Sequence, residues 1–303
     1  MTKLEYTLKT DTLFKMLFTK YPELLKRLIA ELLGIKYESM EHFNITNPEI
    51  SPEEHGKKFC RLDISMTVDG QKIGLEVQVS DSGNYPDRSL FYWAREFSTG
   101  ISEGDDYALL PRTIIINILG FNQFSDPKKY HSEFKVLEVT SHEPLTDKLG
   151  LHFYELEKLP PLDNTDSSRD LWLQLFKAET EADLTKIEEM GGWVMSEAIS
   201  AYRHVAASPE FREIERIRSK ARHDEAQALK NAERRGEELG EKRGMELGEK
   251  RGEKRGMERG MERGAEIERE KWQGEREKWQ GVATENEELR IQLAALRAQL
   301  GKD

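Results

Sequence analysis

Apolar positions in residues 11–33 recur at helical spacing, with Leu13, Phe14 and Leu17 followed by Leu24, Leu25, Leu28 and Leu32. Thr10 or Asp11 is placed to cap this helix, Gly34 to end it, and Pro22 to break it. Residues 58–80 change to a period of two. Leu62, Ile64, Met66 and Val68 alternate with Arg61, Asp63, Ser65 and Thr67; after Asp69-Gly70, Ile73, Leu75, Val77 and Val79 alternate with Gly74, Glu76, Gln78 and Ser80. That pattern predicts two strands joined by a tight turn. A helix is expected over 85–102, ending near Gly104, and a buried central strand over the β-branched run 111–121. Weaker strand signals follow at 134–140 and 151–156, and helical periodicity from 168 onward. The order predicts a mixed α/β domain of about 160 residues, followed by an α-helical region.

The hairpin carries the first chemical signal. With Asp69-Gly70 as a two-residue turn, Asp63 stands opposite Glu76, and Arg61 opposite Gln78. Directly opposed side chains have Cβ atoms roughly 4.5–5.5 Å apart, where like charges destabilise a sheet. A shared proton, a cation such as Arg61 or a divalent metal would relieve the repulsion. Acidic residues are also ordinary on a solvated sheet face, so spacing alone leaves the pair open.

Composition narrows the partners. Hydrophobic residues make up 37% of the 303-residue chain and charged residues 34%, which fits a folded core plus a long solvated segment. The single Cys60 excludes a disulfide framework and a cysteine zinc cluster, and suits a reducing compartment. The opening residues lack a signal-peptide pattern, and there is no run of about 18 apolar residues, so a cytoplasmic protein without a membrane span is expected. Net charge is −11: residues 1–230 hold 29 Lys/Arg against 39 Asp/Glu, and residues 231–303 hold 17 against 18. Binding to nucleic acid would therefore need a local basic patch or a bridging cation. His131, His142 and His152 show no metal-ligand spacing.

The segments R-L-D-I-S-M and L-E-V-Q-V, with twelve residues between the Asp and the Glu, resemble the PD-(D/E)XK nuclease signature. More narrowly, the chain resembles the recombination-promoting nuclease (Rpn) transposase family. This resemblance rests on D-T-L-F-K-M-L-F at 11–18, the hairpin, R-S-L-F-Y-W-A-R-E-F at 88–97, and G-D-D-Y-A-L-L-P-R-T-I-I-I-N-I-L at 104–119. It implies an α/β restriction-endonuclease-like core, a mixed sheet flanked by helices, and a DNA endonuclease dependent on Mg²⁺ or another divalent cation. Asp63 and Glu76 would hold the metal with the backbone carbonyl of Val77, and Gln78 would orient water. Many superfamily members have Lys at the position of Gln78, and glutamine brings no charge to stabilise the developing anion. Lys15 and Arg88 are candidate replacements. Lys15, Arg61, Arg88 and Tyr92 are the expected DNA or phosphate contacts, while Asp11 reads as a helix cap rather than a ligand. The alternative is a weak or inactive nuclease fold serving as a DNA-binding or coiled-coil scaffold.

The tail has two patterns. Glycine recurs every fourth residue from Gly236 to Gly264, between charged triplets. Eight helical glycines cost on the order of 8 kcal/mol relative to alanine, so a charged linker or a marginal helix is expected. Residues 268–281 duplicate a heptad. Trp272, Trp279, Asn286, Leu293 and Leu300 then form one seam position and Val282, Leu289 and Leu296 the other. This predicts a coiled-coil homodimer through 268–300, with Asn286 fixing its register. The organisation expected is a nuclease-like core at 1–165, a helical region at 166–235, the glycine-period segment at 236–264 and the coiled coil at 265–303.

Overall fold

A computed structural model describes residues 2–46, 62–81, 83–165 and 167–300, with side-chain surroundings described as far as 295. Arg61 and Cys60 lie outside the described residues. Two compact units span Met1–Lys220 and Ala221–Asp303.

The first helical pattern forms α1 (Asp11–Lys20) and α2 (Pro22–Leu33). Proline is tolerated at the start of α2 because the N–H it lacks has no partner there, and it forces the preceding Tyr21 out of the helical region (φ −125, ψ 70). Gly34 ends α2 with φ 67, the left-handed geometry that favours glycine. Thr10 takes the N-cap position and Asp11 is the first residue of α1, so Asp11 is not the cap.

Six strands form one sheet: β1 (Phe43–Ile45), β2 (Ile64–Val68), β3 (Gln71–Gln78), β4 (Thr113–Leu119), β5 (His131–Phe134) and β6 (Leu149–Glu155). Their spatial order is β1-β2-β3-β4-β6-β5. The pairs β3/β4 and β4/β6 are parallel and the others antiparallel. The helix α3 (Tyr85–Ser98) ends six residues before Gly104, capped by Thr99. The fifth strand lies at 131–134 rather than 134–140; Leu137 and Val139 are exposed, which explains the weak signal there.

Helices cover both faces of the sheet. Ile64, Met66, Val68, Ile73, Leu75, Ile114, Ile116 and Ile118 pack against α1, α2, α4 (Ser168–Lys177) and α5 (Glu181–Ala207). On the opposite face Ile115, Leu119, Leu149, Leu151 and Phe153 pack with Tyr85 and Tyr92 of α3. β4 is therefore buried on both sides, as its continuous apolar run requires.

One side chain breaks the expected alternation. Leu62 joins the α3-side cluster, whereas Ile64 and Met66 lie on the other face. Gly74 makes room for it: a Cβ there would lie 2.5 Å from Leu62 Cδ1 and 2.8 Å from Ile115 Cδ1.

The helix α5 is interrupted at Gly192 (φ 59, ψ −149). The last helix, α6, spans Pro209–Leu300 and includes the glycine-period segment. Its opening turns belong to the first unit, where Phe211 is buried in the main core. In the second unit Trp272, Trp279, Val282, Leu289 and Leu293 are exposed, and Asn286 Nδ2 donates to the Val282 carbonyl at 3.0 Å. Among the described residues no helix is long and apolar enough to cross a membrane.

Candidate active site

The hairpin has the register expected from a two-residue turn, from Val68↔Gln71 to Ile64↔Leu75. The ladder stops one residue before the acidic pair. Asp63 lies in a bend, so it and Glu76 are not a directly opposed sheet pair. They interlock instead through the backbone. The Asp63 N–H donates to Glu76 Oε1 at 2.7 Å, and the Val77 N–H donates to Asp63 Oδ2 at 2.9 Å. Each carboxylate thus orients the strand segment that carries the other. In an extended strand the N–H and C=O of one residue project to the same edge, so the Val77 carbonyl projects toward the Asp63 side.

Cations approach from both faces of the sheet. Lys15 of α1 reaches Asp63 Oδ1 at 3.1 Å and Asp11 Oδ1 at 2.6 Å. Arg88 of α3 places Nη2 3.8 Å from Glu76 Oε2, and its Nε donates to the Tyr92 hydroxyl at 2.6 Å. The position of Glu76 explains its environment: β3 is central in the sheet, α3 covers this face, and only 2% of the residue is exposed. Burial, reinforced by the Asp63 charge, holds the Glu76 carboxyl well above the usual range. Burial also raises Asp63, against the opposing pull of Lys15. Burial disfavours the charged form of Lys15, but Asp63 and Asp11 outweigh it and raise the ammonium's pKa.

The structure thus brings Asp63, Glu76, Val77, Lys15, Arg88 and Tyr92 together. Gln78 lies two residues beyond Glu76, but its amide is turned onto the Ser80 carbonyl at 3.0 Å. Its expected role in orienting water requires that bond to be exchanged.

Sequence reasoning missed two supports. Asn117 of β4, aligned with Glu76, accepts from Tyr85 (3.0 Å) and Ser89 (3.1 Å) and donates to the His152 carbonyl (3.0 Å). It pins α3, and hence Arg88, over the acidic pair. Its signal was a lone amide in an otherwise apolar run. Asp11 is the second support. Beyond Lys15, it takes Arg218 of α6 at 2.5 Å. Its i,i+4 spacing to Lys15 was the available clue.

Away from this site, His131 and His152 meet on neighbouring strands with ring nitrogens 3.1 Å apart. Sequence spacing had not linked them.

A hard divalent cation fits the acidic pair. Burial raises the proton affinity of both carboxylates and the Asp63 charge raises that of Glu76 further, so the pair favours a counter-charge, and both present oxygen donors beside a backbone carbonyl. Among the described residues no group of three or more His, Cys, Asp or Glu could hold a metal. Two carboxylates, a carbonyl, water and phosphate oxygen are the ligands Mg²⁺ commonly uses.

Comparison with curated proteins and with solved structures returned no match. Residues 8–232 match the family described as PD-(D/E)XK nuclease family transposase, a span that holds every site residue named above, and the chain belongs to that family.

Proposed function

We propose that the protein is a divalent-metal-dependent DNA endonuclease, with Mg²⁺ the expected ion, and that its cleavage promotes recombination. The observation that carries this reading is the interlocked pair: Glu76 is fixed by the Asp63 N–H and Asp63 by the Val77 N–H, with the Lys15 ammonium 3.1 Å from Asp63. Asp63, Glu76 and the Val77 carbonyl would hold the metal. When bound, it would supply a water of lowered pKa and withdraw charge from the phosphate. Lys15 brings the positive charge that Gln78 lacks and would meet a phosphate oxygen. Arg88, braced by Tyr92, would meet a second. Gln78, released from Ser80, would orient the attacking water.

Plasmid cleavage tests this with Mg²⁺, Ca²⁺ or EDTA, comparing wild type with Asp63→Asn. Cleavage with Mg²⁺ alone, lost in a folded Asp63→Asn protein, is the expected result. Activity that survives the substitution or EDTA would sink the proposal.

The exposed seam Trp272, Trp279, Val282, Leu289 and Leu293 supports a parallel homodimer through 268–300, which would supply two sites for two DNA strands. The reducing compartment suggested by the lone cysteine leads us to place the protein in the cytoplasm. A second reading, a DNA-binding scaffold without cleavage, is favoured by the engagement of Gln78 with Ser80. Salt-sensitive binding unaffected by metal, with no cleavage in any buffer, would establish it.

A further inference from the structure

We propose that Arg218, in the opening turns of α6, is a positioning residue that sets the Lys15 ammonium against Asp63 by taking one oxygen of Asp11 for itself. The two oxygens of Asp11 serve different cations. Oδ1 faces Lys15 at 2.6 Å, and Oδ2 faces Arg218 Nη1 at 2.5 Å. The same Nη1 donates to Thr12 Oγ1 at 3.0 Å. Thr12, fully buried, donates in turn to the buried Glu215 at 2.8 Å. Two consecutive residues of α1 are thus docked on two residues of α6 one turn apart, across more than 200 positions of sequence.

The charge balance gives this docking a purpose. Asp11 and Lys15 are i,i+4 neighbours on one helix, and alone they would form a closed pair. A lysine neutralised in that way is poorly placed to serve Asp63 or a phosphate. Arg218 engages the far oxygen of Asp11, so part of that carboxylate's charge is already answered. Lys15 can then divide itself between Asp11 and Asp63 at 3.1 Å. Lys15 and Arg218 are each only about one quarter exposed, so water screens these interactions less than at an open surface.

The role in catalysis rests on the nuclease reading; the positioning does not. The test uses the full-length protein with Arg218→Gln, which retains a donor for Thr12 without the charge, and Arg218→Lys, which retains the charge. The ¹⁵N resonance of the Lys15 ammonium, assigned with Lys15→Arg and recorded at one fixed pH, reports its ordering. Cleavage kinetics report its use. In Arg218→Gln the ammonium resonance is expected to shift and broaden while near-ultraviolet circular dichroism is unchanged. The value of kcat is expected to fall by about 10- to 100-fold with KM within about twofold of wild type, as misplacement of a catalytic group requires. Arg218→Lys restores both. An unshifted Lys15 resonance in Arg218→Gln, or no rescue by Arg218→Lys, would overturn the proposal. Failure of the wild type to cleave would instead overturn the nuclease reading, and the ammonium resonance would still decide this one.

Discussion

Replacing Glu76 with glutamine should stabilise the fold while abolishing cleavage, and the gain should grow with pH. In the folded protein burial and the Asp63 charge hold the Glu76 proton well above its ordinary pKa of 4.5. Above pH 4.5 the unfolded chain releases that proton and the folded chain keeps it. Wild-type stability therefore falls as pH rises, until the folded pKa is passed. Each pH unit inside that window is worth about 1.4 kcal/mol for one proton. The glutamine of Glu76→Gln cannot titrate, and its amide oxygen can still accept the Asp63 N–H that Glu76 Oε1 accepts now. The variant should match the wild type near pH 4.5 and gain on it by about 1.4 kcal/mol for each pH unit below the folded pKa, which is about 3–6 °C in Tm per unit for a domain of this size. Part of the gain is discounted because Asp63 titrates with its neighbour.

The assay is urea unfolding in EDTA at pH 5, 6 and 7. Tryptophan emission is followed in a Trp272→Phe/Trp279→Phe background, which leaves Trp93, Trp172 and Trp193 in the first unit. A stability difference that is constant across this range, or a variant less stable throughout, would refute the assignment of Glu76 as a buried, proton-holding carboxyl.

Three further outcomes follow from the same structure. Burial, aided by His131 and Arg112 against the pull of Glu133, pushes His152 down to about 4. Below pH 6.5 the unfolded chain takes a proton that folded His152 refuses, so up to about 3 kcal/mol of stability is lost between pH 6.5 and 4, and His152→Gln should flatten that part of the acid-unfolding curve. Gly74→Ala would drive a methyl into Leu62 and Ile115, costing about 1–2 kcal/mol in urea unfolding, and would disturb cleavage by displacing the residue next to Asp63. DNA affinity should fall with salt at a log–log slope of about −2 to −3, the value for two or three phosphate contacts; a slope near −8 would mean a broad basic surface.

The hairpin was legible because alternation on two strands and one turn dipeptide fix register locally; Ile64↔Leu75 and Val68↔Gln71 pair as the pattern requires. The bend at Asp63 was not. Alternation carries no mark of where pairing stops, and Leu62 takes the opposite face because glycine at 74 and the position of Ile115 leave space there. Those are tertiary facts. Lys15 was identifiable as a candidate cation from the resemblance, but its partners Asp63 and Asp11 required the packing of α1 on the sheet. Arg218 gave no signal at all, because a cation in a charge-rich helix looks like any other until its contact more than 200 residues away is seen. Asn117 is the instructive omission. One amide in a run of β-branched residues has to find partners when buried, and it finds them in α3, the helix that carries Arg88.

The acidity of the chain first counted against DNA as a partner, and the site changes the weight of that objection. The charge of −11 belongs to the whole molecule, whereas a phosphate close to the site responds to charges within about a Debye length, roughly 8 Å at physiological salt. Around Asp63 and Glu76 stand three cations, Lys15, Arg88 and Arg218, against the three carboxylates they contact, with Glu215 behind Thr12. Burial pushes Glu76 toward its neutral form, which lessens the negative charge that would repel a phosphate before metal binds. Metal binding would displace any proton on Glu76 and add two positive charges, a net gain of at least one. The same burial that destabilises the fold therefore weakens the site's repulsion of an anion before the metal arrives. A chain of net negative charge would then engage DNA at this one place, which favours selective over general binding.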